Sequence, residues 1–321
     1  MLSLLNPKDV HILVIGDIML DIYNYGDAHR ISPEAPVPVF HSKEKKYYLG
    51  GAANTFANLC NMGINAHLFG IIGDDANGEF VKGMILDLSP VNSNYIIQQP
   101  MKSTITKERI VARSQQIVRI DTEEVESIYG LQVDLFANAF EGLSHNTWNI
   151  DAIIISDYGK GMISQQFMSA MRHNPSFFST NVYIDPYPLH KEMYSYSFCI
   201  TPNKKEFEEI GSAAYIMDSL KINKIVGTEG ENGIHVYSKE GNFHVPTEAQ
   251  TVYDVSGAGD TVIAALAATK SMGFSFIDSV ILANRAAGNV VSQMGTTAVD
   301  PVFMKEIIRE ASYAGNYAKS S

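Results

Sequence analysis

The chain has 321 residues, of which 45% are hydrophobic and 18% charged, and it carries a net charge of −11. That balance suits a globular chain with a sizeable core and excludes a disordered or fibrous one. The excess of acid, with no basic block beyond the short "KEKK" at Lys43 to Lys46, excludes nonspecific binding to nucleic acid or to an anionic membrane, while leaving room for a small anion at a local Arg/Lys cluster.

At the N-terminus, Pro7, Lys8 and Asp9 come before any long apolar run, unlike a signal peptide. No later run approaches the ~20 apolar residues that span a bilayer. Cys60 and Cys199 are too few for a disulfide framework and too far apart for a zinc knuckle. A cytoplasmic chain with two incidental thiols is expected.

Short apolar runs then alternate with helical patterns. "HILVIGD" (11–17), "NAHLFGIIGDD" (65–75), "DAIIISD" (151–157), "NVYIDP" (181–186), "FCITPN" (198–203) and "KIVGTEG" (224–230) each end in a polar or turn-forming residue. Runs apolar at nearly every position read as strands buried on both faces. Helices are expected over 52–62, 78–88, 131–143, 165–173 and 204–210. The order βαβα predicts an α/β fold with a doubly wound, mostly parallel central sheet covered by helices. Ligands in such sheets bind at the carboxyl ends of the strands.

Two segments depart from this alternation. Residues 23–48, with the proline-rich "RISPEAPVPVF", and 104–121, "TITKERIVARSQQIVRID", alternate polar and apolar residues or run extended. They predict antiparallel strands forming a small sheet that projects as a flap, drawn from about 22–49 and 97–122 of one domain spanning 1–321. The tail from Ala314 is expected to fray.

Four clusters offer chemistry. In "DVSGAGDT" (254–261), Gly257 and Gly259 allow a tight turn and close approach of a ligand, and the helix that follows offers N–H groups and a positive dipole end to an anion. Asp260 in that turn is either a base taking a proton from an attacking hydroxyl or a plain helix-start carboxylate. Gly50 and Gly51 precede a helix carrying Asn54, which both donates and accepts. Asp17 and Asp21 in "GDIMLD" follow the first strand, as hydroxyl acceptors or turn residues. Asn203 and Glu206, three apart, either order the water shell of Mg²⁺ or form an ordinary helix cap.

The order of Gly50-Gly51, Asn203-x-x-Glu206 and "DVSGAGDT" along the chain resembles the ribokinase-like (phosphofructokinase-B type) carbohydrate kinases, from about residue 10 to 310. Within that family, "RISPEAPVPV", "ARSQQIVRID", "SDYGKG" and "VYDVSGAGDT" resemble the kinases that phosphorylate D-glycero-β-D-manno-heptose 7-phosphate at C1 in ADP-heptose synthesis for the lipopolysaccharide core. The resemblance implies Asp260 as base, with Gly257, Ala258 and Gly259 holding the transferring phosphoryl group. It implies Mg²⁺ ordered through water by Asn203 and Glu206. ATP would be bound by Thr228, Glu231 and Gly233, with Asn284, Ala287 and Gly288, and a monovalent cation such as K⁺ would lie near Asp254 and Ser256. Asp17, Asp21, Gly50, Gly51 and Asn54 would meet the sugar.

A substrate that is itself a phosphate monoester needs further cations; Lys107, Arg113 and Arg119 are expected to supply them, with Gln115 and Gln116 for hydroxyls. Lys160 is expected beside the cleft. The subfamily's lysine after "DP" is replaced here by Tyr187-Pro188, and Lys160 or Lys191 would substitute. The expected partners are a sugar phosphate and ATP, a second copy of the chain through the flap, and a phosphatase and an adenylyltransferase downstream. The chain resembles a stand-alone kinase or the kinase part of a bifunctional enzyme. A kinase of another sugar and a non-catalytic binder on the same fold are the alternatives.

Overall fold

The computed structural model describes residues 4–89, 95–113, 115–145, 149–248 and 252–317. Ser114, inside one of the motif blocks, and the terminal 318–321 lie outside the described residues. The strands are β1 (His11–Gly16), β2 (Ile18–Ile31), β3 (Pro38–Gly51), β4 (Asn65–Gly73), β5 (Tyr95–Gln99), β6 (Ile105–Ala112), β7 (Gln115–Thr122), β8 (Ala152–Ser156), β9 (Asn181–Asp185), β10 (Cys199–Ile200), β11 (Lys224–Thr228), β12 (Ile234–Ser238) and β13 (Phe243–Val245). The helices are α1 (Ala52–Asn61), α2 (Ala76–Leu88), α3 (Leu131–His145), α4 (Gln165–His173), α5 (Pro175–Ser179), α6 (Lys204–Ile210), α7 (Ala258–Ser271), α8 (Phe276–Val291) and α9 (Pro301–Tyr317). The segment from Ala314, expected to fray, continues α9 as far as Tyr317.

The large sheet has the order β13-β12-β11-β10-β9-β8-β1-β4-β5. It is parallel from β11 to β5 and antiparallel at the β12 and β13 edge. Its central strands are apolar at nearly every position because both faces are covered. In β1, Ile12 and Val14 pack into one core with α1, α7 and α8, while Leu13 and Ile15 pack into another with α3 and α4. The alanine-rich α7 lets that helix lie close to the sheet, and its residues from Asp260 to Thr269 are all buried. Among the described residues no helix is long and apolar enough to cross a membrane.

The second sheet, in the order β3-β2-β6-β7, rises from the carboxyl edge of the first. Only Asp17 separates β1 from β2, and β3 passes directly into α1 with Ala52 N–H donating to the Asp17 carbonyl (3.0 Å). The two hairpins, β2–β3 and β6–β7, are antiparallel as expected, but β2 and β6 pair in parallel. Both strands leave the same edge of the large sheet, so they run in the same direction. Residues 97–99, expected in the flap, instead belong to β5, which extends the large sheet beside β4. They follow the parallel edge, and the chain enters the flap only at Ile105.

Candidate active site

The first turn of α7 is fixed by Gly257, whose φ of 80° lies in the left-handed region that favours glycine. A Cβ at Gly257 would fall 2.6 Å from Asn54 Nδ2, so the missing side chain is what lets this turn meet α1. Two residues on, a Cβ at Gly259 would meet no atom within 4 Å. Beside Gly259 the positive end of the helix therefore opens onto free space, an arrangement that receives anions.

Asp260 lies in that same turn and is 3% exposed. Its Oδ2 accepts from Asn54 Nδ2 (2.8 Å), and its Oδ1 from the Tyr158 hydroxyl (2.9 Å) and Thr55 Oγ1 (3.2 Å). Loss of hydration outweighs these bonds and pushes its pKa up to about 6, with the nearby Asp21 charge adding to the rise. Such a carboxylate changes protonation near neutral pH, as a general base must. Asn58, one turn along α1, ties the two helices again: its Oδ1 accepts from Thr261 Oγ1 (3.0 Å) and Val299 N–H (2.9 Å).

Thr55 and Tyr158 had no role assigned from the sequence. Polar residues at 54, 55 and 58 of an otherwise apolar helix are the local signal for the first. Tyr158 stands inside the quoted "SDYGKG", but the chain separates it from Asp260 by 102 residues. Its loop is held by Asp17, whose buried carboxylate accepts from the N–H groups of Tyr158 (2.9 Å), Lys160 (3.0 Å) and Met162 (3.0 Å). Asp17 thus builds the floor under Tyr158.

The inner face of the flap carries Asp21 beside Lys107 and Tyr23 beside Arg109 in the β2/β6 register. Arg109 pairs with Asp21 at 2.6 Å. Gly50 makes room for that pair, since a Cβ there would lie 2.7 Å from Asp21 Oδ2, and at Gly51 (φ 57°) one would strike the Asp17 carbonyl at 2.4 Å. The Lys107 ammonium lies 5.1 Å from the centre of the Tyr158 ring. Burial lowers its pKa, and among the described residues it has no ion-pair partner. Lys102, not singled out in the sequence, is nearly buried beside Asp17 and Lys160.

The remaining expected cations do not converge on Asp260. Arg113 sits in the β6–β7 turn at φ 50°, exposed, with its guanidinium on His29 Nδ1 (2.8 Å). Arg119 shares the inner face across from Arg109 but is exposed and held by Asp121 through two bonds (2.8 and 2.9 Å). Lys160 pairs with Glu123 at 2.7 Å. Lys191 turns to the Ile210 carbonyl (3.0 Å), at the end of α6. A bulge between Ile110 and Val111 resets the alternation of β7, so Gln116 opposes Val111 and Gln115 opposes Ala112. Gln116, rather than Gln115, therefore lines the cavity shared with Tyr23 and Arg109.

Behind the α7 turn lies a cavity of about 420 Å³. Thr228, Glu231, Gly233, Ala258, Gly259, Asn284, Ala287 and Gly288 all line it, with Ile234, Val252, Val255, Val262 and Val291 as its apolar wall. The residues expected at a nucleotide site are brought together here, except Gly257, which faces α1, and Asn203. Apolar walls with polar groups at one end suit a base and its phosphates.

Asn203 and Glu206 form a reciprocal helix cap. Glu206 Oε2 accepts from Asn203 N–H (2.9 Å), and Asn203 Oδ1 accepts from Glu206 N–H (3.0 Å). Burial raises the Glu206 pKa. Asp185, which sequence reading passed over within "IDP", has its pKa raised well above the usual range by burial and by the charges of Asp260, Glu206 and Asp157. Among the described residues no group of three or more His, Cys, Asp or Glu is placed to hold a metal ion directly. Crowded acids of this kind fit a cation that keeps its water and arrives with phosphate oxygens, as Mg²⁺ does. Where the resemblance suggests a monovalent cation, Asp254 already accepts from the Tyr23 hydroxyl (2.7 Å), Ser256 N–H (2.9 Å) and Gly295 N–H (3.3 Å). These bonds leave its side chain little to offer such an ion.

The model of the pfkB family carbohydrate kinases matches residues 9–302. A protein of Methylobacillus flagellatus named "Bifunctional protein HldE" is 36% identical over 322 residues; the match covers 97% of this chain, and the chain spans 65% of that relative's length. Among solved structures, a ribokinase from Thermotoga maritima superposes with a TM-score of 0.71 at 19% identity, covering 94% of this chain and 99% of its own. Phosphofructokinase-2 from Escherichia coli, in complex with potassium, superposes at 0.74 and 14% identity, covering 94% and 99%. At such identities the structures establish the shared ribokinase-like fold.

The hydrogen bond from Tyr158 lowers the Asp260 pKa, so its loss should raise it. Carbon-13 NMR of aspartate-labelled protein should show one carboxyl titrating near pH 6, and in Tyr158→Phe that resonance should titrate at higher pH. A midpoint near 4 in both proteins would contradict the burial argument.

Proposed function

Because the chain belongs to the pfkB family of carbohydrate kinases, we propose that it transfers the γ-phosphoryl group of ATP to the C1 hydroxyl of D-glycero-β-D-manno-heptose 7-phosphate, a step of ADP-heptose synthesis. The observation that carries the chemistry is Asp260, a buried carboxylate with pKa raised to about 6, in the same helical turn that opens onto free space at Gly259. The substrate assignment is supported by the flap blocks and by the 36% identity to the bifunctional relative.

In this reading Asp260 accepts the hydroxyl proton as the sugar oxygen attacks phosphorus. The N–H groups of Gly257, Ala258 and Gly259 hold the charge on the transferring group. Base and anion hole share one turn because the reacting atoms must approach within about 3–3.5 Å. The nucleotide occupies the cavity behind α7. Magnesium, when bound, neutralises the phosphate oxygens; Asn203, Glu206 and Asp185 are the side chains that would hold its water shell. Asp21, Asn54 and the Gly50–Gly51 backbone meet sugar hydroxyls, and Lys107, facing the site with no ion-pair partner among the described residues, takes the substrate's phosphate. Lys160 and Lys102 stand behind it.

The proposal treats residues 1–321 as one kinase domain whose second sheet is the lid, working in the cytoplasm. β7 is the outer strand of that sheet and exposes Ile117, Val118 and Ile120 by 44–49%. An exposed apolar edge strand seeks a partner, which supports a homodimer formed flap to flap. The product, a 1,7-bisphosphate, would pass to a phosphatase and then an adenylyltransferase.

³¹P NMR with Mg·ATP should give a new anomeric phosphate signal with the heptose 7-phosphate and none with fructose 6-phosphate or ribose. Turnover of another sugar alone would move the substrate assignment and leave the role of Asp260 standing. Asp260→Asn should bind both substrates and lose about 10²–10⁴-fold in kcat; near-normal turnover would remove Asp260 as the base. Lys107→Ala should raise KM for the sugar phosphate by about tenfold or more with KM for ATP unchanged, whereas Arg113→Ala should alter neither. Light scattering should give the mass of a dimer, and a monomeric mass at working concentration would refute the flap contact.

A further inference from the structure

The flap and the turn that opens α7 meet in one knot of side chains that the chemistry above does not use. Tyr23 on β2 is 4% exposed, and its hydroxyl donates to Asp254 Oδ2 at 2.7 Å. Asp254 lies three residues before Gly257 and gathers its own turn through Ser256 N–H and the loop after α8 through Gly295 N–H. Arg109 lies over the Tyr23 ring at 5.0 Å and reaches Ser256 Oγ at 3.4 Å. Tyr48 on β3 meets Tyr23 edge-on at 5.4 Å and closes over Gly295, where a Cβ would fall 2.7 Å from its ring.

The turn has few other anchors. Tyr253 N–H donates to the Val291 carbonyl (2.8 Å) and Ala258 N–H to the Val255 carbonyl (3.3 Å). Neither involves the flap. The link from the flap to this turn therefore runs through the Tyr23 hydroxyl to Asp254, with a contact to Ser256, and, more weakly, through Arg109 to Ser256. Burial raises the Tyr23 pKa to about 12, so the phenol stays a donor throughout the working pH range.

We propose that Tyr23 is a positioning residue: by holding Asp254 it fixes the turn that sets Gly257, and so makes the aim of the anion-holding N–H groups depend on a seated flap. The kinetic consequence rests on the proposed kinase activity; the mechanical one rests on the geometry alone. Tyr23→Phe keeps the ring contacts with Tyr48 and Arg109 and removes the bond to Asp254 together with the hydroxyl's contacts to Ser256 and Thr296.

Two measurements test this. Hydrogen–deuterium exchange of the ligand-free protein should show faster exchange of the amides of residues 254–260 in Tyr23→Phe, with the melting temperature nearly unchanged; unchanged exchange in that turn would overturn the proposal. In steady-state assays, Tyr23→Phe should lose about tenfold in kcat, the size expected for a bond to a charged group, with both KM values within about twofold. Asp254→Asn added to Tyr23→Phe should cost little more than either change alone, because both act on one link. Full kcat in Tyr23→Phe, or losses that multiply in the double variant, would overturn it. A wild type that phosphorylates no sugar would instead overturn the functional reading, and the exchange measurement would still decide the link.

Discussion

Taking a carboxylate out of water costs several kcal/mol unless hydrogen bonds and neighbouring charge offset the loss. Asp260 imposes that constraint on this fold. Its three donors come from α1 and from the loop after β8, and its own helix supplies a favourable dipole end. Two helices and a loop from distant parts of the chain must therefore be held in register around one side chain. Asn58 fastens the helices a turn further down, and Asp17 holds the loop through three backbone amides. The offset remains incomplete, and the residue of that imbalance is a pKa near neutrality.

The same economy of charge shapes the surroundings. A chain of net charge −11 is an unpromising receptor for two phosphorylated molecules, and the floor of the cleft adds Asp185, Glu206 and Asp157 to Asp260. Its cations are few and graded by partner. Arg109 is committed to Asp21, Lys160 to Glu123 and Arg119 to Asp121. Lys107 is left facing the base, with burial lowering its pKa. Lys102, buried beside Asp17, is the other of these cations without an ion-pair partner among the described residues, while the acids nearby suit a divalent cation brought in with the nucleotide.

The central sheet was legible because its signal is local. A strand such as His11–Gly16, apolar at every position after the histidine, can be satisfied only between two layers, and "GAGD" before an apolar run marks a helix start open to anions. The flap was legible as a sheet but not in register. Its alternation ran true until the bulge at Ile110/Val111, where one extra residue exchanged Gln115 for Gln116 and left Arg113 on the turn. The three-residue spacing of Asn203 and Glu206 fitted a cap and a water-bridged ion equally, because both geometries use the first turn of a helix. Thr55, Tyr158, Tyr23 and Asp185 went unassigned, since what gives each its importance is a partner 75 to 231 residues away.

One feature of the backbone bears on how such a protein diversifies. The flap joins the body where β2 begins at Ile18, where β3 runs into α1 at Gly51, and through β6 and β7 at their near ends. The first two junctions have almost no slack, for Ile18 pairs with Gly51 and Ala52 N–H is bonded to the Asp17 carbonyl (3.0 Å). Shortening or lengthening the chain there would shift the floor of the cleft along with the flap. Variation is freer at the far ends of the hairpins, around residues 33–37 and at Arg113, where the chain is exposed. Altered specificity within this architecture should therefore arise by replacing side chains along a flap of constant length, or by exchanging the flap whole, cut at these near-end junctions, rather than by remodelling its roots.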